Sequence, residues 1–242
     1  MRKILVISGF DPSGAGVLAD IKTAKSLNTF ALAVLTSLTA QNSCGVYEIK
    51  PINLDLLEKQ LRAVFEDTDV NAVKIGLISD VGVARVVREF IRDLKVPKVL
   101  DPVLIASTGK QIGNVRAYKE IMDCVDVVTP NFNEAKAISG LNCNPRDLAL
   151  KIFEEYGCSV VVTGGELNGV DILCDRGKIY EIEAEIFDAE IHGTGCVYST
   201  ALACYLAKGL SLLDSCRFAR LFIIESIKRA VKIGRCLPVV NP

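Results

Sequence analysis

A chain of 242 residues is long enough for one well-cored domain, and with half its residues apolar and about a quarter charged it falls outside the disordered class. A net charge of −1 gives no electrostatic reason to expect nucleic acid or an anionic membrane as partner, so any anionic ligand must be held by a local site. The nine cysteines are scattered, odd in number and without a CxxC or zinc spacing; they read as reduced core thiols of a cytoplasmic protein, Cys196 excepted.

Taken in chain order, the first apolar run is Ile4–Ile7. It is too short for a signal-peptide core, and no stretch of ~20 apolar residues follows that could span a membrane. Further β-rich runs are Phe30–Leu35, Ala72–Ile75, Lys98–Leu100, Val125–Val128 and Val160–Val162. Most are apolar throughout, as strands buried on both faces of a parallel sheet should be. Between them, Leu54, Leu57, Leu61, Val64 and Phe65 keep a helical rhythm, as do Val83, Val86, Val87, Phe90 and Leu94. This alternation predicts right-handed βαβ units and a doubly wound sheet. After Val162 the pattern changes: Val170–Cys174 and Ile179–Ile186 predict an antiparallel pair with a turn at Asp175-Arg176-Gly177. Two closing helices follow, from about Gly195 to Ala207 and from about Leu213 to Val231. No linker or repeat interrupts residues 1–242, which read as a single α/β domain.

In such sheets ligands sit beyond the carboxyl ends of the strands. Polar, glycine-rich segments recur there: Ser8–Gly16, Thr39–Ser43, Asp101-Pro102, Thr129–Asn131 and Thr163–Gly165. Turns are commonly rich in these residues, so one alone would say little; five on one edge point to a site.

His192-Gly193-Thr194-Gly195-Cys196 precedes a helix of small residues. Glycines there let Gly193, Thr194, Gly195 and Cys196 turn several N–H groups toward one spot, and the helix dipole makes that spot an anion site. A transferring phosphoryl group needs such a cradle. The same dipole is expected to lower the thiol pKa of Cys196, making it a candidate base for an attacking hydroxyl. By itself a GTG before a helix is more often a cap. His192, the only histidine, lacks an evident partner and is read as positioning its loop.

Gly14-x-Gly16-x-x-Ala19 after the first strand imitates a dinucleotide fingerprint. The acidic residue that reading needs about 20 residues on is missing, since no Asp or Glu lies between Lys22 and Tyr47. The Ser8–Gly14 loop is also long for a dinucleotide turn. No GxxxxGK[ST] occurs, which removes a P-loop enzyme.

The segments GFDPSG-AGVLADIKT, LTAQNS, AVKIGLI, LDPVL, TPNFNEA, VVTGGE and HGTGC follow one another across nearly the whole chain. In this order and spacing the sequence resembles the hydroxymethylpyrimidine/phosphomethylpyrimidine kinases of thiamine biosynthesis, within the ribokinase-like superfamily. The resemblance implies a three-layer α/β/α sandwich with a mainly parallel sheet, ATP and Mg²⁺ as cofactors, a small pyrimidine as substrate and a homodimer. It implies that Asp20 and Gln41 bond the aminopyrimidine ring, with Gly9, Asp11, Ala15 and Leu77 lining the same pocket. Cys196 would face the hydroxymethyl oxygen. Asp101, Asn131 and Glu134 would lie near the ATP phosphates, with Asp101 and Glu134 reaching Mg²⁺ through water or phosphate, and Thr163 and Gly165 would flank the nucleotide. A helix cap is the plain alternative for Glu134.

Three departures stand out. One glycine of the usual DPSGGAG is missing, Leu77 replaces a common methionine, and Glu166 stands where a histidine is usual. A pyridoxal kinase of the same cysteine-bearing branch is the nearest alternative, because pyridoxal also carries a hydroxymethyl group. An idle pyrimidine or nucleotide sensor is a more distant one, which retention of Cys196, the GTG and the carboxylates opposes.

Overall fold

The computed structural model describes all residues except 165, 166, 168, 184, 186, 188 and 189. Strand β1 (Arg2–Phe10) sends successive side chains to opposite faces: Leu5 and Ile7 enter one core, Ile4 and Val6 the other. It is the inner strand around which the rest is laid. After it come α1 (Val17–Ser26), β2 (Thr29–Asn42), β3 (Gly45–Pro51), α2 (Leu54–Asp67), β4 (Ala72–Ile75), α3 (Val81–Ile91) and β5 (Lys98–Leu100). The second half comprises α4 (Val115–Lys119), β6 (Val127–Val128), α5 (Phe132–Ser139), α6 (Pro145–Tyr156), β7 (Ser159–Val162), β8 (Val170–Asp175), β9 (Lys178–Glu183), α7 (Thr194–Ala207) and α8 (Leu212–Lys228).

The strands form one sheet in the order β3-β2-β1-β4-β5-β6-β7-β8-β9. From β2 to β7 the neighbours are parallel; β3, β8 and β9 join antiparallel at the two edges. Helices α2 to α6 cover one face, where Leu57, Leu61, Val87, Ile91 and Ile152 pack on Leu5, Val73, Ile75 and Leu100. Each such buried aliphatic side chain contributes roughly 1.5–3 kcal/mol. Helices α1, α7 and α8 cover the other, with Ala201, Ala219 and Ile223 against Val99, Val127 and Val161. The expected three-layer α/β/α sandwich with a mainly parallel sheet is what the chain adopts.

Helix starts differ in a way that matters for the site. Asn53, Asp80, Asn114, Asn131, Asn144 and Ser211 cap α2, α3, α4, α5, α6 and α8 with their own side chains. Helices α1 and α7 instead begin at Gly16 and Gly193, without a side-chain cap. Their first N–H groups are left for something else.

Several expectations need correction. The second strand does not stop at Leu35, and Thr39–Ser43 is no simple turn: β2 continues to Asn42 and returns as β3. The side chain of Asn42 turns the chain by accepting from the N–H groups of Cys44 and Gly45, at 2.9 and 3.2 Å. The ribbon projects past the core, so its residues keep the period of a strand without its hydrophobicity. The third helix ends at Ile91, before Leu94; β6 starts at Val127; α8 ends at Lys228. The expected strand end at Ile186 lies outside the described residues, as do Gly165 and Glu166.

The cysteines also depart from expectation. Cys44 of the β2–β3 turn and Cys236 of the C-terminal tail form a disulfide across 192 positions. Both are exposed, so neither is a core thiol. The other seven are free. That tail crosses the His192 loop: the N–H of His192 donates to the Pro238 carbonyl at 2.9 Å, and the N–H of Val240 donates to the His192 carbonyl at 3.0 Å. Among the described residues no helix is long and apolar enough to cross a membrane.

Candidate active site

The carboxyl ends of β1, β4 and β5, the β2–β3 ribbon and the start of α7 enclose a cavity of about 480 Å³. Of the residues expected at a site, Gly9, Asp11, Ala15, Gln41, Leu77, Asp101, Asn131, Glu134, Thr163, Gly193, Thr194, Gly195 and Cys196 all line it. Gly165 lies outside the described residues. Asp20 alone is excluded from the lining.

Glycine at 193 is required by its backbone, at φ 87°, and by crowding: a Cβ there would stand 3.2 Å from Val240 and 3.3 Å from Ala15. The uncapped start of α7 thus faces the cavity. Asp101, at the end of β5, comes alongside. Its Oδ2 accepts from Ser199 Oγ at 3.0 Å and lies 3.5 Å from Lys74 Nζ, while Oδ1 is turned toward Gly195.

Cys196 is half-buried at this wall, and the expectation of a lowered thiol pKa is overturned. Burial is the largest influence and pushes the thiol up to about 12; Lys74 pulls it down, but the Asp101 and Asp20 carboxylates push it further up. The helix dipole and the Gly16 N–H are too weak to reverse this. Without ligands the site holds a thiol.

Asp20 sits beneath the cavity, not in it. It is fully buried on α1, where it meets Lys74 Nζ at 3.1 and 3.2 Å and accepts from Thr200 Oγ1 at 2.7 Å. Its oxygens are occupied by the protein, so the direct ring contact expected of it is corrected. Burial works against the Lys74 ammonium, but Asp20, Cys196 and Asp101 outweigh it and raise its pKa above the ordinary lysine value.

The DPSG turn builds a second polar cluster. Asp11 Oδ1 accepts from the N–H and Oγ of Ser13, at 2.7 and 2.6 Å. Its Oδ2 meets His192 Nε2 at 2.5 Å and accepts from Gln41 Nε2 at 3.0 Å. Burial tends to raise the Asp11 pKa, yet the bonds from His192 and Ser13 prevail and lower it. His192 also reaches Ser107 Oγ through Nδ1, at 3.0 Å. The reading of a histidine without a partner was wrong, because its partners lie 181 and 85 positions away and no local pattern announces them.

Asn131 and Glu134 form a capping box. Glu134 Oε2 accepts from the Asn131 N–H at 2.9 Å, and Asn131 Oδ1 accepts from the Glu134 N–H at 2.8 Å. Glu134 Oε1 accepts from the Leu104 N–H at 3.1 Å, which ties α5 to the loop after β5. Glu134 therefore combines the cap with a place on the cavity wall.

A second cavity, of about 330 Å³, adjoins the first at Ser107, Thr163, Thr194, Gly195 and Tyr198. Its far wall combines apolar side chains from Phe187, Ile191, Ile223, Ile224 and Ile227 with Arg220 and the carboxylates Glu185 and Glu190. Sequence reasoning missed these residues. The α8 isoleucines look like core positions in any amphipathic helix, and only the packing of α8 beside α7 reveals the slot.

Residues 11–241 match the family described as phosphomethylpyrimidine kinase. The hydroxymethylpyrimidine/phosphomethylpyrimidine kinase of Aquifex aeolicus is 37% identical over 251 aligned residues, covering 98% of each chain. The Staphylococcus aureus pyridoxal kinase in complex with AMP-PCP and pyridoxal superposes with a TM-score of 0.88 at 28% identity, covering 100% of this chain and 93% of that one. The Clostridium difficile phosphomethylpyrimidine kinase gives 0.80 at 30% identity, covering 94% and 100%. With nearly its full length matched and the glycine-started α7 opening on the cavity between Asp101 and Cys196, this chain belongs to the phosphomethylpyrimidine kinase family.

Proposed function

We propose that this chain transfers the γ-phosphoryl group of ATP to the hydroxymethyl oxygen of 4-amino-5-hydroxymethyl-2-methylpyrimidine, and then phosphorylates the monophosphate, supplying thiamine biosynthesis. The observation that carries this is the junction of the two cavities at the uncapped start of α7. A ring seated near Gln41 and Leu77 brings its hydroxymethyl group toward Cys196, and a nucleotide in the α8 slot brings its phosphates to Thr194 and Gly195. The N–H groups there suit the charge that spreads over the transferring group's oxygens.

Mg²⁺ arrives with the nucleotide as part of the substrate. Among the described residues no group of three or more His, Cys, Asp or Glu side chains is gathered to hold a metal by itself. Asp101 fits the role: Oδ2 is engaged by Ser199 and Lys74, and Oδ1 is turned to the phosphate side. One carboxylate plus phosphate and water is an ordinary Mg²⁺ shell. Glu134, with both oxygens on backbone N–H groups, acts through Asn131 and the Leu104 loop. Cys196 begins as a thiol and serves as base only once deprotonated.

A homodimer is supported by the exposed Leu38 and Tyr47 of the projecting ribbon, and light scattering tests it. A cytoplasmic location fits the chemistry; the exposed disulfide is open there to cellular thiols.

ATP consumption measured with the hydroxymethylpyrimidine, its monophosphate and pyridoxal tests the reading. Turnover of the first two is expected, and strong preference for pyridoxal would replace this function with the alternative one.

A further inference from the structure

We infer that Asp11 is a positioning residue that fixes which end of the Gln41 amide faces the substrate ring, and so selects a ring whose edge carries a hydrogen-bond donor. The inference rests on the pyrimidine reading and deepens it. Asp11 is buried, and its two oxygens can only accept. Ser13 fills Oδ1 twice, which fixes the carboxylate. Oδ2 then faces Gln41 at 3.0 Å and His192 at 2.5 Å, so each must present a nitrogen-bound hydrogen. The 3.4 Å approach of Gln41 Nε2 to His192 Nε2 is consequently a contact between two donors, not a bond.

With its nitrogen held, Gln41 keeps Oε1 as the end without a hydrogen bond among the described residues, on a side chain that lines the cavity. A carbonyl there accepts from the exocyclic amino group of an aminopyrimidine. It opposes the aldehyde of pyridoxal, whose carbonyl sets acceptor against acceptor.

Asp11→Asn tests this without changing shape. The Ser13 donors hold the amide oxygen of the new side chain at the Oδ1 place, so its NH₂ turns to Gln41 and reverses that amide. The kcat/KM ratio of hydroxymethylpyrimidine to pyridoxal should fall at least about tenfold. Adding Gln41→Glu, which again offers an acceptor to the ring, should restore the ratio; a merely structural Asp11 would give no such rescue. A ratio unchanged in Asp11→Asn, or not restored in the double variant, overturns the role of Asp11 and leaves the pyrimidine reading standing. Wild-type preference for pyridoxal would overturn that reading, while the change in ratio between proteins would still judge Asp11. Calorimetry on the unaltered protein guards against a variant that fails to fold. Replacing the substrate's 4-amino group by methoxy should weaken binding at least about tenfold, and equal binding, or binding of neither ring, sinks the inference.

Discussion

The ammonium of Lys74 stands 3.1 Å from Asp20 Oδ1, and both side chains are completely removed from solvent. Lys74→Met would leave Asp20 as an uncompensated buried charge, at a cost of about 3–5 kcal/mol. The pair Lys74→Met/Asp20→Asn should cost clearly less in denaturant unfolding. Because the folded pKa of Lys74 lies above the ordinary 10.5, its contribution is complete below that pH and is lost only as pH rises through the higher folded value. If Asp20→Asn altered only the KM for the pyrimidine and not stability, Asp20 would be a ring reader after all.

Cys196→Ala should lower kcat by ~10²-fold or more with little change in ATP binding. With the thiol at about 12 in the free protein, a base role requires log(kcat/KM) to climb with pH through the neutral and mildly alkaline range. A plateau at neutral pH would assign the proton transfer to another group. Alkylation by iodoacetamide should follow the same rise, read by mass spectrometry of the Cys196 peptide.

Asp101→Asn should raise the Mg²⁺ concentration needed for half-maximal rate and the KM for ATP, while the pyrimidine KM stays close to wild type. Were the pyrimidine KM alone to move, the two cavities would have exchanged occupants.

Glu134→Ala removes the capping box and the support of Leu104. The loss of stability should be at least about 1 kcal/mol by thermal or chemical unfolding, with a smaller kinetic effect than Asp101→Asn. A large rise in Mg²⁺ requirement without any loss of stability would make Glu134 a closer neighbour of the metal than its bonds suggest.

Reducing the Cys44–Cys236 bridge should cost about 2–4 kcal/mol, because it closes a very long loop in the unfolded chain. Thiol titration of the denatured protein should find seven groups before reduction and nine after. Nine before reduction would mean that the bridge does not form.

Those parts of the fold in which local pattern and tertiary burial coincide were legible in the sequence. Ala72–Ile75 and Lys98–Leu100 are short runs, mostly apolar with one lysine each, in a fully covered sheet, and their bounds came out as read. The β2–β3 ribbon was not legible, because a strand outside the core carries Thr39, Gln41 and Asn42 as readily as a turn does. At the site, the glycines of α7 and the wall residues were found because backbone geometry restricts the residue type. Pairings across the chain were hidden: nothing local joins Asp11 to His192, or Asp20 to Lys74. The thiol of Cys196 was misread because the dipole is a local property, whereas burial and the two carboxylates are assembled only on folding.

The tail that crosses His192 gives the last few residues an influence out of proportion to their position. Val239 packs against Gly14 and Val240 against Gly193, so the two glycine loops share one lid of chain, although neither valine lines the cavity. A protein shortened at Leu237 would retain every cavity residue and still lose the clamp that registers α1 against α7. Damage near the carboxyl terminus should therefore present as a catalytic lesion, and activity is a better gauge of an intact tail than the presence of folded protein.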